Sequence, residues 1–217
     1  MPFCADRASG DRVAVATPAG TQEVEIVSVS YDEAAGGGRV CPYQMAFMLD
    51  NWIRRLFQNP VKLLADYIRE GNTVVDLGCG PGFFTIDMAE MVGSTGHVIA
   101  VDLQPGMLDR VRKKAFRKGV ADRIAYHQCR ADRIGLECTA DFMLAFYMVH
   151  ETPDPRRFFE ETWSMLTAGG RLLVVEPKMH VSQASFESMV AGAARAGLEP
   201  VDHPTGKGGR AVLLEGR

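Results

Sequence analysis

The 217 residues fit one domain of ordinary size with room for a short appendage, and 47% apolar and 24% charged residues are ordinary for a globular chain. A net charge of −3 disfavours long nucleic acid as a partner, because such binders concentrate positive charge against phosphate; the densest basic run, 110–118, reads as the wet face of one helix, with a local patch left open. Five scattered cysteines (Cys4, Cys41, Cys79, Cys129, Cys138) without a C-x-x-C pair argue against a disulfide framework and a zinc site, and with no signal-like start and no apolar run near the ~20 residues that span a bilayer, the expectation is a soluble cytoplasmic protein.

Residues 11–31 carry two alternating apolar runs around Thr17-Pro18-Ala19-Gly20, which predicts a β-hairpin. Ala34-Ala35-Gly36-Gly37-Gly38 reads as a flexible linker, so residues 1–40 form an N-terminal extension ahead of a domain at 41–217. Met45, Met48, Leu49, Trp52, Ile53 and Leu56 share one helical stripe. They predict a helix over 43–57 that covers the mouth of a site as a lid. Pro60 opens a short helix expected to reach 69, with Gly71 as its stop.

From there strands and helices alternate. Strands are predicted at 73–77, 97–101, 123–128, 141–147 and 171–176. Helices are predicted over 83–91, 105–118, 155–166 (ended by Gly169-Gly170) and from a Ser182 cap to near 197. Two late strands, 199–203 and 211–215, have only 204–209 between them, which suits an antiparallel hairpin. The fold class is therefore α/β: a Rossmann-like, doubly wound, mostly parallel open sheet with right-handed crossovers.

The most informative stretch is Val74-Val75-Asp76-Leu77-Gly78-Cys79-Gly80-Pro81-Gly82-Phe83-Phe84-Thr85. A buried strand runs into three glycines spaced by two, and a helix follows. Glycines let a ligand approach the main chain closely, and open N–H groups at a helix start attract anions. Asp102 ends the next strand, where an acid can accept hydrogen bonds from both ribose hydroxyls of an adenosyl ligand. The alternative is a tight turn with Asp102 capping the following helix. The spacing is G-x-G-x-G, not the dinucleotide G-x-G-x-x-G/A, and Asp76 precedes it by two. A carboxylate there suits a cationic amino-acid ligand better than a pyrophosphate.

These residues, with Asp102 and the later segment LTAGGRLLVVE (166–176), resemble the class I S-adenosylmethionine-dependent methyltransferases, nearest the small-molecule branch of the ubiquinone/menaquinone C-methyltransferases. The resemblance implies a seven-stranded sheet whose last strand is antiparallel, and S-adenosyl-L-methionine as cofactor. It implies that Asp76, Gly78, Gly80 and Gly82 line the methionine and ribose part, that Asp102 holds the ribose hydroxyls, and that Leu103 and Met107 flank adenine. Asp132, after the third strand, is the expected acid near the adenine amino group. Cys79 and Phe146 complete the candidate cofactor-binding set. Core packing is the alternative for Met107, and a solvated loop acid for Asp132.

The fourth strand leads into Phe146-Tyr147-Met148-Val149-His150-Glu151, at the edge where open α/β sheets keep their catalytic groups. The [N/D]-P-P-[Y/F] motif of nucleobase N-methyltransferases is absent. Methyl transfer is an in-line displacement that needs a base only if the acceptor arrives protonated. His150, or else Tyr147, is the candidate base; a strand-end packing role is the alternative for His150. Glu176-Pro177-Lys178-Met179-His180 could contact substrate, with a solvated cluster the favoured reading. The expected partner is a small-molecule methyl acceptor, with a homodimer left open. Competing readings are an NAD-dependent oxidoreductase with variant glycine spacing and a non-catalytic cofactor-binding module. An arsenic-methylating enzyme is unattractive because the cysteines are too dispersed.

Overall fold

The computed structural model describes residues 12–17, 20–25, 58–205 and 208–217. The linker at 34–38, the expected lid helix over 43–57, Cys4 and Cys41 lie outside the described residues. β1 (Arg12–Thr17) and β2 (Gly20–Glu25) pair antiparallel, Thr17 opposite Gly20.

The architecture of the remainder follows from strands too apolar to face water on either side. β3 (Thr73–Leu77), β4 (His97–Asp102) and β6 (Ala140–Phe146) are buried almost throughout. Continuous burial of this kind belongs to parallel strands covered by helices on both faces. Successive side chains alternate between faces. Val74, Val98, Phe142 and Leu173 pack on one side, with α2 (Thr85–Met91) and α3 (Pro105–Lys118). Val75, Ile99, Met143 and Leu172 pack on the other, with α4 (Pro155–Met165) and α5 (Gln183–Arg195). Sheet order is β5-β4-β3-β6-β7-β9-β8, where β5 is Ile124–Gln128, β7 Leu166–Glu176, β8 Leu198–Asp202 and β9 Arg210–Gly216. β9 runs antiparallel to both of its neighbours. The expected α/β sheet of seven mostly parallel strands with an antiparallel last strand is the one observed.

Three expected boundaries are corrected. α1 (Pro60–Leu64) is shorter than 60–69. The Arg69 guanidinium takes the Ala65 carbonyl, and Asn72 accepts the Arg69 N–H, so 65–72 becomes a turn. α2 begins at Thr85, because the Gly-rich turn extends through Phe84. Gly169-Gly170 does not end α4. Leu166 is already extended (φ −78°, ψ 137°) and pairs with Ala140, so β7 starts directly after Met165.

Candidate active site

The carboxyl ends of β3, β4, β6 and β7 form one edge, and the candidate residues gather there. Gly78 and Gly80 follow β3 with φ of +67° and +52°, a backbone region that a Cβ disfavours. The Cys79 N–H donates to the Val101 carbonyl, tying the turn to β4. Among the described residues, a Cβ built on Gly80 would meet nothing within 4 Å, so they leave space open beside the turn.

Asp102 meets this turn from the tip of β4. One carboxylate oxygen accepts the Gly80 N–H at 2.9 Å and the other the Gln104 N–H at 2.8 Å. Burial pushes its carboxyl up to about 6, and the surrounding backbone N–H groups hold it from rising further. A carboxylate has about four lone-pair sites, so capacity remains for hydroxyls of a ligand. Asp76 is buried and accepts the Thr85 hydroxyl at 2.6 Å. Burial pushes the Cys79 thiol up, and Asp102 and Asp76 add to the rise, so the turn is flanked by two acids. That field favours a cation.

The other candidates of this half are spread more widely. Met107, in the first turn of α3, is buried, and Leu103, between β4 and α3, is partly so. Gly82 sits where a Cβ would press on Val111. Asp132 is exposed and pairs with Arg130 at 3.3 Å, which holds its carboxyl below the usual range. Phe146 is buried in an aromatic row, 4.5 Å from Phe84 and 4.3 Å from Tyr147 between ring centroids.

On the β6–β7 side, Tyr147 adopts φ +61°, the one non-glycine residue with positive φ among those described. Its N–H donates to the Val175 carbonyl. Its hydroxyl donates to the Gly208 carbonyl at 2.7 Å and accepts from the Gln58 amide at 3.1 Å. His150 stands on a 3-10 turn, Val149–Glu151, with its side chain 24% exposed. Its Nδ1 lies 2.5 Å from Glu176 Oε2, and its N–H donates to Glu176 Oε1 at 3.2 Å. Glu176 is fully buried, which corrects the solvated reading of that residue; Lys178, Met179 and His180 are exposed as expected. Burial raises the Glu176 carboxyl, and His150 opposes the rise.

Glu176 is the site residue that sequence reasoning undervalued. Its signal was an acid ending the apolar run Leu172–Val175, on the strand beside the one that leads to His150.

Residues 68–207 match the family model described as a methyltransferase domain. The chain belongs to this methyltransferase family. The match decides against the nicotinamide reading of the glycine turn. Over 110 residues this methyltransferase is 33% identical to the ubiquinone/menaquinone biosynthesis C-methyltransferase UbiE of Enterobacter sp. (strain 638), covering 50% of this chain and 44% of that one. Over 140 residues it is 34% identical to the tRNA 5-carboxymethoxyuridine methyltransferase of Escherichia coli (strain K12), covering 63% of this chain and 51% of that one. The chain spans about half the length of these curated relatives. A SAM-dependent methyltransferase from Aquifex aeolicus shares the fold, with a TM-score of 0.70 at 23% identity over 82% of this chain and 98% of that one. No described helix is long and apolar enough to cross a membrane.

Proposed function

We propose that this methyltransferase carries the methyl group of S-adenosyl-L-methionine to a small-molecule acceptor, with His150 taking the acceptor's proton. The observation that carries the cofactor reading is Asp102, a buried carboxylate with unused acceptor capacity beside the space that the described residues leave open at Gly80. Asp102 would hold the ribose hydroxyls, and the Gly78–Gly82 turn with Asp76 would take the amino-acid portion. When bound, the cofactor supplies a methyl carbon on a sulfonium, whose sulfur keeps the electron pair of the C–S bond as the acceptor's pair forms the new one. The protein's part is to orient the acceptor in line and to receive its proton. His150 supports that role better than Tyr147, because the Tyr147 hydroxyl already donates its proton to Gly208.

A small acceptor is supported by the acids along this edge. Asp102, Glu151 and Glu176 would repel a polyphosphate chain. One observation favours a second reading, an RNA acceptor: the similarity to a protein named as a tRNA methyltransferase.

The test offers labelled S-adenosylmethionine with either bulk tRNA or the small-molecule fraction of a cell extract. Label should enter the small molecules. In His150→Ala it should fall by about 10²–10⁴-fold, with S-adenosylhomocysteine still bound by calorimetry. Label entering tRNA alone would replace the small-acceptor reading, and unchanged turnover in His150→Ala would remove the base. Binding without transfer to either pool would leave the non-catalytic module.

A further inference from the structure

We infer that Glu176 is a positioning residue for His150: it turns Nδ1 inward, leaves Nε2 to meet the acceptor, and so selects acceptors whose reacting atom still carries a proton at neutral pH. The inference rests on the methyltransferase reading above and extends it from the base to what holds the base.

The geometry is that of a clamp. One carboxylate takes two groups of a single residue, the main-chain N–H of His150 on Oε1 and the ring nitrogen Nδ1 on Oε2. Holding both at once fixes the ring relative to its own backbone. The clamp comes from the neighbouring strand. β6 and β7 pair in parallel register up to Phe146 and Val175, which brings the residue after Val175 under the turn that carries His150.

Stability does not explain the pair. A fully buried carboxylate loses its hydration, and a buried ion pair often gains less than well-packed apolar groups would. Val175, the residue before it, is also buried, so an apolar residue at 176 would continue the core. The charge acquires a purpose when a proton arrives. The acceptor's X–H bond gives its proton to Nε2 and its electron pair to the new X–CH3 bond. Taking that proton would place a positive charge on the imidazolium, beside Glu176. The carboxylate favours that product and fixes the tautomer that can accept the proton. Other ionisable groups face the same ring: Glu151 on its own turn, and His180, whose ring centroid lies 5.9 Å away. Neither is placed at Nδ1, where Glu176 sits.

A thiolate or any other acceptor already deprotonated would gain nothing from this arrangement. A hydroxyl or an acidic C–H would.

The experiment is nitrogen-detected NMR of the full chain labelled in histidine, free and saturated with S-adenosylhomocysteine. The neutral His150 ring should carry its proton on Nδ1. Glu176→Gln, whose amide has one acceptor oxygen for the two His150 donors and no charge, should keep the wild-type affinity for S-adenosylhomocysteine within about twofold. Its transfer of label to the small-molecule fraction should drop about 10–100-fold. Glu176→Ala should shift the proton toward Nε2. A proton on Nε2 in the wild type, or an unmoved tautomer in Glu176→Ala, overturns the inference, as does full turnover in Glu176→Gln. If Glu176→Ala fails to fold, the wild-type tautomer and Glu176→Gln still decide. Failure of the wild type to take up S-adenosylhomocysteine would instead sink the methyltransferase reading, and the free chain's tautomer would still report on the clamp.

Discussion

The two halves of the strand-tip edge are built from different materials. At β3 and β4 the main chain does most of the holding: Gly80 and Gln104 offer N–H groups to Asp102, and the Cys79 N–H ties the turn to Val101. At β6 and β7 side chains do the holding, across long separations. His150 meets Glu176, and Tyr147 meets Gly208 from the far hairpin. The first half can be kept with few residue identities, because its shape resides in backbone angles. The second depends on particular side chains, which is why we place the choice of acceptor there.

The largest expected effect breaks the first half. Asp102→Asn puts an amide where two backbone N–H groups seek an acceptor and where we propose that two ribose hydroxyls do as well. At about 1.5–3 kcal/mol for each hydrogen bond to a charged group, affinity for S-adenosylhomocysteine should fall on the order of 10²-fold. Calorimetry reads this directly. The wild type should also show a pH dependence that the variant lacks. Burial moves the Asp102 carboxyl from 3.8 to about 6 in the native state. Hydroxyls donate to the ionised form, so affinity should decline as pH falls below about 6, approaching tenfold per unit. Stability has the opposite sign. Between about 4 and 6 the native state keeps a proton that the unfolded chain releases, so this group's contribution is whole below about 4 and lost as pH rises through about 6. A flat affinity between pH 5 and 8 would separate Asp102 from the ligand.

A second pair of substitutions sharpens the boundary between the halves. Gly78 lies against Met148 of the acceptor side, and a Cβ would stand 3.0 Å from its Cβ and Cγ. Gly78→Ala combines a positive φ with that crowding. It should cost about 2 kcal/mol, a fall in Tm of roughly 4–8 °C for a chain of this size. Gly80→Ala meets no atom of the described residues within 4 Å and should cost only about 1 kcal/mol for its φ. Its methyl, however, would stand in the ligand's approach. Gly80→Ala should therefore lose roughly tenfold in S-adenosylhomocysteine affinity, about 1.4 kcal/mol. Equal losses of stability with no loss of affinity would show that the open space is not the cofactor's.

The same division governs what was legible in the sequence. The apolar runs at 73–77 and 97–101, the glycine spacing and Asp102 announce themselves, because local backbone geometry dictates those residue types. Where pairing across the sheet decides, local signals mislead. Gly169-Gly170 resembles a helix stop, yet Leu166 is drawn into β7 by Ala140. Glu176 looks solvated beside Lys178 and His180, but its burial follows from β7 lying between β6 and β9. Asp132 belongs to the turn closed by Arg130 and Arg133, and its ion pair with Arg130 leaves no trace in spacing. The unfavourable φ of Tyr147 has no local signature either, since glycine is the residue that such a position normally demands.

Tyr147 therefore offers the smallest but most discriminating test within the second half. Its hydroxyl joins the end of β6 to the β8–β9 hairpin at Gly208 and to Gln58 ahead of α1. In that role Tyr147→Phe removes two partly exposed hydrogen bonds. Urea unfolding should show a loss of about 0.5–1.5 kcal/mol, with methyl transfer reduced by no more than a few-fold. If Tyr147 were the base, the same loss of stability would come with turnover down about 10²-fold or more. The aromatic ring stays in both cases, packed against Phe146, so the comparison isolates the hydroxyl. Because His150 is untouched by this change, a large loss of turnover here would move the proton's destination to Tyr147 and leave Glu176 holding a ring that does not react.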